Sequence, residues 1–184
     1  GAGTRPALPD FRETFGKRGI MISAVDLLKG IAIGAGMDCA EVPGANGGLD
    51  TNYEGKAQAA VDALLKDGYD LAYLHIEAPD EMGHQGSAER KIQAIENIDR
   101  RVLGPLTRQL DDAGTPYRLL VLPDHPTPVR LRTHVAEPVP YLLYDSTEKR
   151  VHSWNYNERE AALSGAAVER GCELMKLLLQ QVRL

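Results

Sequence analysis

An α/β domain built on a mainly parallel sheet is the fold class this sequence predicts. Short apolar runs alternate with longer segments of helical period, which is the pattern of strand, crossover helix and next strand. Two of the apolar runs end directly in loops rich in Asp and His, and in parallel sheets ligands collect beyond the carboxyl ends of strands.

The elements follow in chain order. Gly1, Gly3, Pro6 and Pro9 make the opening turn-rich, and residues 1–20 read as a connection arriving from a preceding segment. From Ser23 to Gly36, Val25, Leu28, Ile31 and Ala32 recur at helical spacing, with Gly34 and Gly36 as the stop. Cys39 to Val42 is a short strand that runs into Pro43, Gly44, Gly47 and Gly48. Asp50 or Thr51 is expected to cap the next helix, whose apolar face is Ala57, Ala60, Val61, Leu64 and Leu65. Leu71 to Ile76 reads as a strand covered on both faces. The longest helix is expected over Ala88 to Asp112, bent at Gly104-Pro105, where an interior proline breaks the hydrogen-bond ladder. Tyr117 to Leu122 and Pro140 to Tyr144 read as strands, and Glu158 to Leu179 as one final helix.

Bulk properties narrow the function classes. With 43% hydrophobic residues, the 184-residue chain can bury a sizeable core as one domain. The 21 basic and 26 acidic residues are interspersed, for a net charge of -5, which argues against nucleic acid as a partner. No apolar run approaches the roughly 20 residues needed to span a bilayer, and no signal peptide pattern is visible, so a cytoplasmic setting without membrane association is expected. Cys39 and Cys172 are too few for a disulfide framework and form no Cys-x-x-Cys motif.

The chemistry concentrates after two strands. Asp80 and His84 stand four residues apart, so one helical turn would place a carboxylate oxygen and an imidazole nitrogen on the same face. Asp124 and His125 follow the Tyr117 to Leu122 run directly, and His134 comes nine residues after His125. Taken singly, each is also what a solvated loop contains; together, on one side of an α/β sheet, they suggest a metal site. Mixed imidazole and carboxylate donors suit Mn²⁺, Zn²⁺ or Fe²⁺ better than Ca²⁺. His75, inside a strand, is expected to be a satisfied core or sheet-edge histidine, and His152 receives no role.

Several runs in order carry a resemblance. Ile22-Ser23-Ala24-Val25-Asp26-Leu27-Leu28-Lys29-Gly30, Glu41 to Ala45, Leu49 to Glu54, His75 to Gly86 and Leu122 to Pro140 resemble the archaeal-type 2,3-bisphosphoglycerate-independent phosphoglycerate mutases of the alkaline phosphatase superfamily. The resemblance extends over nearly the whole chain. It implies a three-layer α/β/α sandwich and interconversion of 3-phosphoglycerate and 2-phosphoglycerate through a phosphoserine, a reaction of glycolysis and gluconeogenesis. By position, Asp80, His84 and His134 resemble the ligands of one metal, Asp124 and His125 part of the ligand set of a second, and Lys29 a lysine near the substrate phosphate. Two divalent ions are implied, Mn²⁺ or Zn²⁺ first and Co²⁺ or Mg²⁺ as alternatives.

The family's serine nucleophile, one aspartate ligand and an inserted domain have no counterpart among these residues. The chain therefore resembles the carboxyl-terminal portion of such an enzyme, inactive alone. Its serines, Ser23, Ser87, Ser146, Ser153 and Ser164, do not sit in the nucleophile's setting. Other readings stay open: a phosphatase or other phosphotransferase of the same superfamily, a non-catalytic metal-binding domain, or a structural domain without metal. A sheet lacking part of its cover would favour self-association.

Overall fold

The computed structural model describes residues 4, 6–148 and 153–179. A three-stranded parallel sheet forms its centre, in the spatial order β2 (Asp38–Ala40), β1 (Gly19–Ile22), β3 (Leu71–Leu74). Ile20, Met21 and Ile22 pair with Asp38, Cys39 and Ala40 on one side and with Ala72, Tyr73 and Leu74 on the other. The strand between them, β1, is buried at every position. It lies at the end of what the sequence suggested was a connection. Gly19-Ile-Met-Ile is too short to show a period, and its strand character comes from two neighbours distant in sequence. Just before it, Asp10 caps a one-turn helix α1 (Phe11–Phe15) by accepting from the Glu13 amide, and Gly16 ends it in the left-handed region at φ 66°.

Helix α2 (Asp26–Gly34) crosses from β1 to β2. Only Ala32 is buried on it, so Leu27, Ile31 and Ile33 face outward. Helix α3 (Tyr53–Leu65) crosses to β3 and carries the densest core face, with Tyr53, Ala57, Ala60, Val61 and Ala63 all buried. Its cap is Asn52, which accepts from the Gly55 amide; the expected cap Thr51 is buried and instead accepts from the Asn46 amide. Strand β3 is less covered than its apolar composition suggested: Leu71 is buried and Tyr73 is exposed.

Beyond β3 come α4 (Ala78–His84) and α5 (Ala88–Ile98), the latter capped by Ser87. The long helix continues through a π turn (Asp99–Leu103) into α6 (Gly104–Asp112). Pro105 has no amide to offer Arg101, and the extra residue in the π turn absorbs the mismatch, with the Gly104 amide donating to the Asp99 carbonyl. Val102, Leu106 and Leu110 are buried, and Leu106 and Leu110 pack with Ile22, Ala60 and Val61. Tyr53, Ala57, Ala78, Met82, Ala94 and Val102 form a second cluster beneath α4.

The remaining strands β4 (Arg118–Val121) and β5 (Leu142–Asp145) pair antiparallel in a separate two-stranded sheet. The single final helix is not formed. Helix α7 (Glu158–Leu163) stops where the Ser164 hydroxyl donates back to the Ala161 carbonyl and Gly165 turns left-handed at φ 71°. A 3₁₀ turn (Gly171–Glu173) then leads into α8 (Leu174–Leu178). Leu163 is exposed, so the apolar residues that suggested one helix do not share one buried face. No helix among the described residues is long and apolar enough to cross a membrane.

Candidate metal centre

The register of β1 with β3 continues past both strands, where the His75 amide donates to the Ile22 carbonyl at 2.9 Å. The chain then turns into α4 with Pro79 in its first turn, a position where a missing amide costs nothing. Helical spacing does what the sequence suggested: Asp80 and His84 share a face, and His84 Nε2 lies 3.3 Å from Asp80 Oδ2. The third member arrives from 50 residues away, with His134 Nε2 3.3 Å from Asp80 Oδ1 and 3.0 Å from His84 Nε2.

The loop after β4 is held in place by local hydrogen bonds. The Val135 amide donates to the Pro126 carbonyl, and the Leu131 and Arg132 amides both donate to the Pro128 carbonyl. Arg132 adopts a left-handed φ of 54°, unusual for a side chain of its size. That turn points the Arg132 carbonyl at His84 Nδ1, 3.0 Å away. A carbonyl can only accept, so His84 carries its proton on Nδ1 and directs the Nε2 lone pair at Asp80 and His134. Backbone hydrogen bonding of this kind is what orients metal-binding imidazoles.

The donor set fits a divalent ion. Asp80, His84 and His134 each offer one ligand atom, all within 4.8 Å of one another, with the first two half-buried and His134 more open. Neighbouring donors lie about 3.3–3.6 Å apart around a tetrahedral ion with bonds of about 2.0–2.2 Å. An octahedral ion with bonds near 2.1 Å brings them to about 3.0 Å. The two separations of 3.3 Å to the Asp80 carboxylate match the tetrahedral spacing, and the 3.0 Å between the imidazole nitrogens matches the octahedral one. Two imidazole lone pairs converging at 3.0 Å also repel unless a cation or proton stands between them.

Asp124 and His125 adjoin this cluster. The His125 ring stacks on His134 with centroids 3.7 Å apart, and His125 Nε2 lies 3.4 Å from Asp124 Oδ2. Five of the six residues singled out in the sequence thus converge. Lys29 stands on α2 with its ammonium 2.9 Å from Glu41 Oε1, and that contact raises its pKa.

Sequence reasoning passed over three neighbours. Thr127 is buried, with its hydroxyl against Asp80 and His125 and its carbonyl accepting from Lys91 Nζ at 2.7 Å. Lys56 is buried on α3 and donates to the His75 carbonyl at 3.3 Å; burial depresses its pKa, which the nearby Glu77 carboxylate partly counters. Glu77 is pushed the other way, by burial first and then by Glu81 and Asp80. None of these has a signature in a linear pattern, apart from Thr127 lying two residues beyond His125. His75 stands just past the end of β3 rather than inside a strand; its Nδ1 lies 3.3 Å from the buried Ser23 hydroxyl, and burial lowers its pKa. His152 lies outside the described residues.

Comparison with known proteins places the chain among metalloenzymes. A model of the Metalloenzyme superfamily matches residues 1–180. The chain is 47% identical to the probable 2,3-bisphosphoglycerate-independent phosphoglycerate mutase of Geobacter sulfurreducens, over 98% of this chain and 45% of that protein. It is 44% identical to the 2,3-bisphosphoglycerate-independent phosphoglycerate mutase of Methanosarcina acetivorans, with the same coverage of each. Among solved structures, the PH0037 protein of Pyrococcus horikoshii superposes with a TM-score of 0.86 at 30% identity, covering 99% of this chain and 55% of that one. The cofactor-independent phosphoglycerate mutase of Thermoplasma acidophilum gives 0.67 at 25% identity, covering 96% and 40%. The chain therefore spans about 45% of the length of the curated relatives it matches.

Proposed function

The chain belongs to the Metalloenzyme superfamily, and from that premise we propose that it provides the metal-holding part of a cofactor-independent phosphoglycerate mutase. The reaction is interconversion of 3-phosphoglycerate and 2-phosphoglycerate, with the phosphoryl group carried on a serine between the two hydroxyls. The convergence of Asp80, His84 and His134 is the observation that carries this reading. The names of relatives 44% and 47% identical to the chain support phosphoglycerate as the substrate.

Asp80, His84 and His134 would hold one divalent ion, and Asp124 with His125 would contribute to a second, with Mn²⁺ or Zn²⁺ the ions best suited to the donors. Bound there, such ions neutralise phosphate oxygens and lower the charge barrier to attack at phosphorus. The residues themselves supply the geometry. His84 is held as the Nδ1-protonated tautomer by the Arg132 carbonyl, so its ligand atom faces inward before anything binds. Lys29 becomes available to a substrate phosphate on release from Glu41. The hydroxyls of Ser23, Ser87, Ser146 and Ser164 are each engaged with the backbone, so the phosphorylated serine is assigned to a part of the enzyme other than these.

The test is metal content after mild purification, for the chain and for a His84→Ala/His134→Ala variant, together with 3-phosphoglycerate turnover by an intact polypeptide carrying this chain. About one equivalent of transition metal or more is expected in the parent, with loss of both metal and turnover in the variant. Unchanged turnover in the double variant would refute the assignment.

A further inference from the structure

We propose that Thr127 is a positioning residue that joins the two ligand groups of the metal centre, locking His125 in the tautomer that leaves Nε2 free. The inference rests on the metal-site reading above. Thr127 is 3% exposed, and its hydroxyl touches two groups at once: it donates to Asp80 Oδ1 and lies 3.3 Å from His125 Nδ1. A threonine hydroxyl has a single proton. With that proton given to the Asp80 carboxylate, only a lone pair remains toward His125, so Nδ1 of His125 must be the donor. Its Nε2, beside Asp124 Oδ2 at 3.4 Å, is then the atom left with a lone pair.

The relay therefore runs from the His125 ring, through one hydroxyl, to the carboxylate that His84 and His134 also face. The Arg132 carbonyl imposes the same tautomer on His84. The rest of Thr127 is held as firmly as its hydroxyl. Lys91 of α5 donates to its carbonyl at 2.7 Å, and Gly83 of α4 lies so close that a Cβ there would meet that carbonyl at 2.6 Å. A side chain gripped from α4 and α5 sets the distance between the Asp80 and His125 groups. A hydrophobic isostere would keep the volume but leave both free to rotate.

The experiment uses the whole 184-residue chain, with Zn²⁺ affinity measured by competition against a chromophoric chelator and the visible spectrum of bound Co²⁺ recorded in parallel. Thr127→Val is expected to weaken Zn²⁺ binding about 10–100-fold and to change the Co²⁺ spectrum, whereas Thr127→Ser stays within about threefold with an unchanged spectrum. Wild-type affinity and spectrum in T127V would overturn the inference. A T127S variant that folds but loses affinity would overturn it too, even if T127V fails to fold, because the hydroxyl would then not be what matters. A parent chain that takes up neither ion overturns the metal-site reading along with this one, whereas metal binding insensitive to T127V overturns this one alone.

Discussion

Replacing Gly83 by alanine sets two calculable effects against each other. In the interior of a helix the exchange is worth about 1 kcal/mol in favour of alanine, from backbone entropy alone. At this position, however, the new Cβ would stand 2.6 Å from the Thr127 carbonyl oxygen, 3.0 Å from Thr127 Cγ2 and 3.2 Å from Lys91 Nζ. Carbon and oxygen approach no closer than about 3.3 Å even in weak C–H···O contacts, so the loop must retreat by about 0.7 Å. Its carbonyl is held by Lys91 and its side chain is buried, which places the cost toward the top of the roughly 1–3 kcal/mol range for overpacking.

The net expectation is destabilisation by about 1–2 kcal/mol, a fall in melting temperature of about 2–8 °C for a chain of this size. Gly30→Ala is the control, because Gly30 is an exposed helical glycine with nothing within 4 Å of a new Cβ. It should melt about 2–4 °C above the parent. Thermal unfolding followed by circular dichroism, with chelator present to keep metal out, reads both. A Gly83→Ala protein that melts at or above the parent would refute the claim that the 125–128 loop presses rigidly on α4.

Two further outcomes follow from burial. His75 has a depressed pKa, caused first by desolvation, so the unfolded chain binds its proton more readily than the native one. Stability should therefore fall as pH drops through about 6.5, the unfolded value, toward the lower native pKa. His75→Gln should flatten that slope in denaturant titrations across the same range, and an equal slope in both proteins would exclude His75 as its source. Tyr53 is fully buried and its hydroxyl lacks a hydrogen-bond partner among the described residues, although Asn97 and Arg101 lie close enough to bias its ionisation. Tyr53→Phe should thus change stability by less than about 1 kcal/mol or raise it; a loss of about 2 kcal/mol or more in urea unfolding would mean the hydroxyl is bonded after all.

The local rules of the chain are what the sequence by itself determined. A carboxylate and an imidazole four residues apart share a face wherever the chain is helical, so the Asp80 and His84 pair was legible in the sequence, whereas the helix α4 that joins them, in a stretch that read as a loop, was not. The same holds for the strand and helix alternation, and for the motif order that pointed to the mutases, because each depends on residues close in the chain. What depends on distant partners was decided by tertiary structure alone. Strand β1 is central because β2 and β3 flank it, a fact absent from four apolar residues. The final helix breaks where Gly165 goes left-handed, although its apolar spacing favoured continuity. His134 joins the triad only through a loop that turns at Arg132, and that turn also places the carbonyl that selects the His84 tautomer. Thr127 gains its place from α4 and α5 pressing on one buried loop, since a hydroxyl and a carbonyl acquire direction only when the backbone around them is folded.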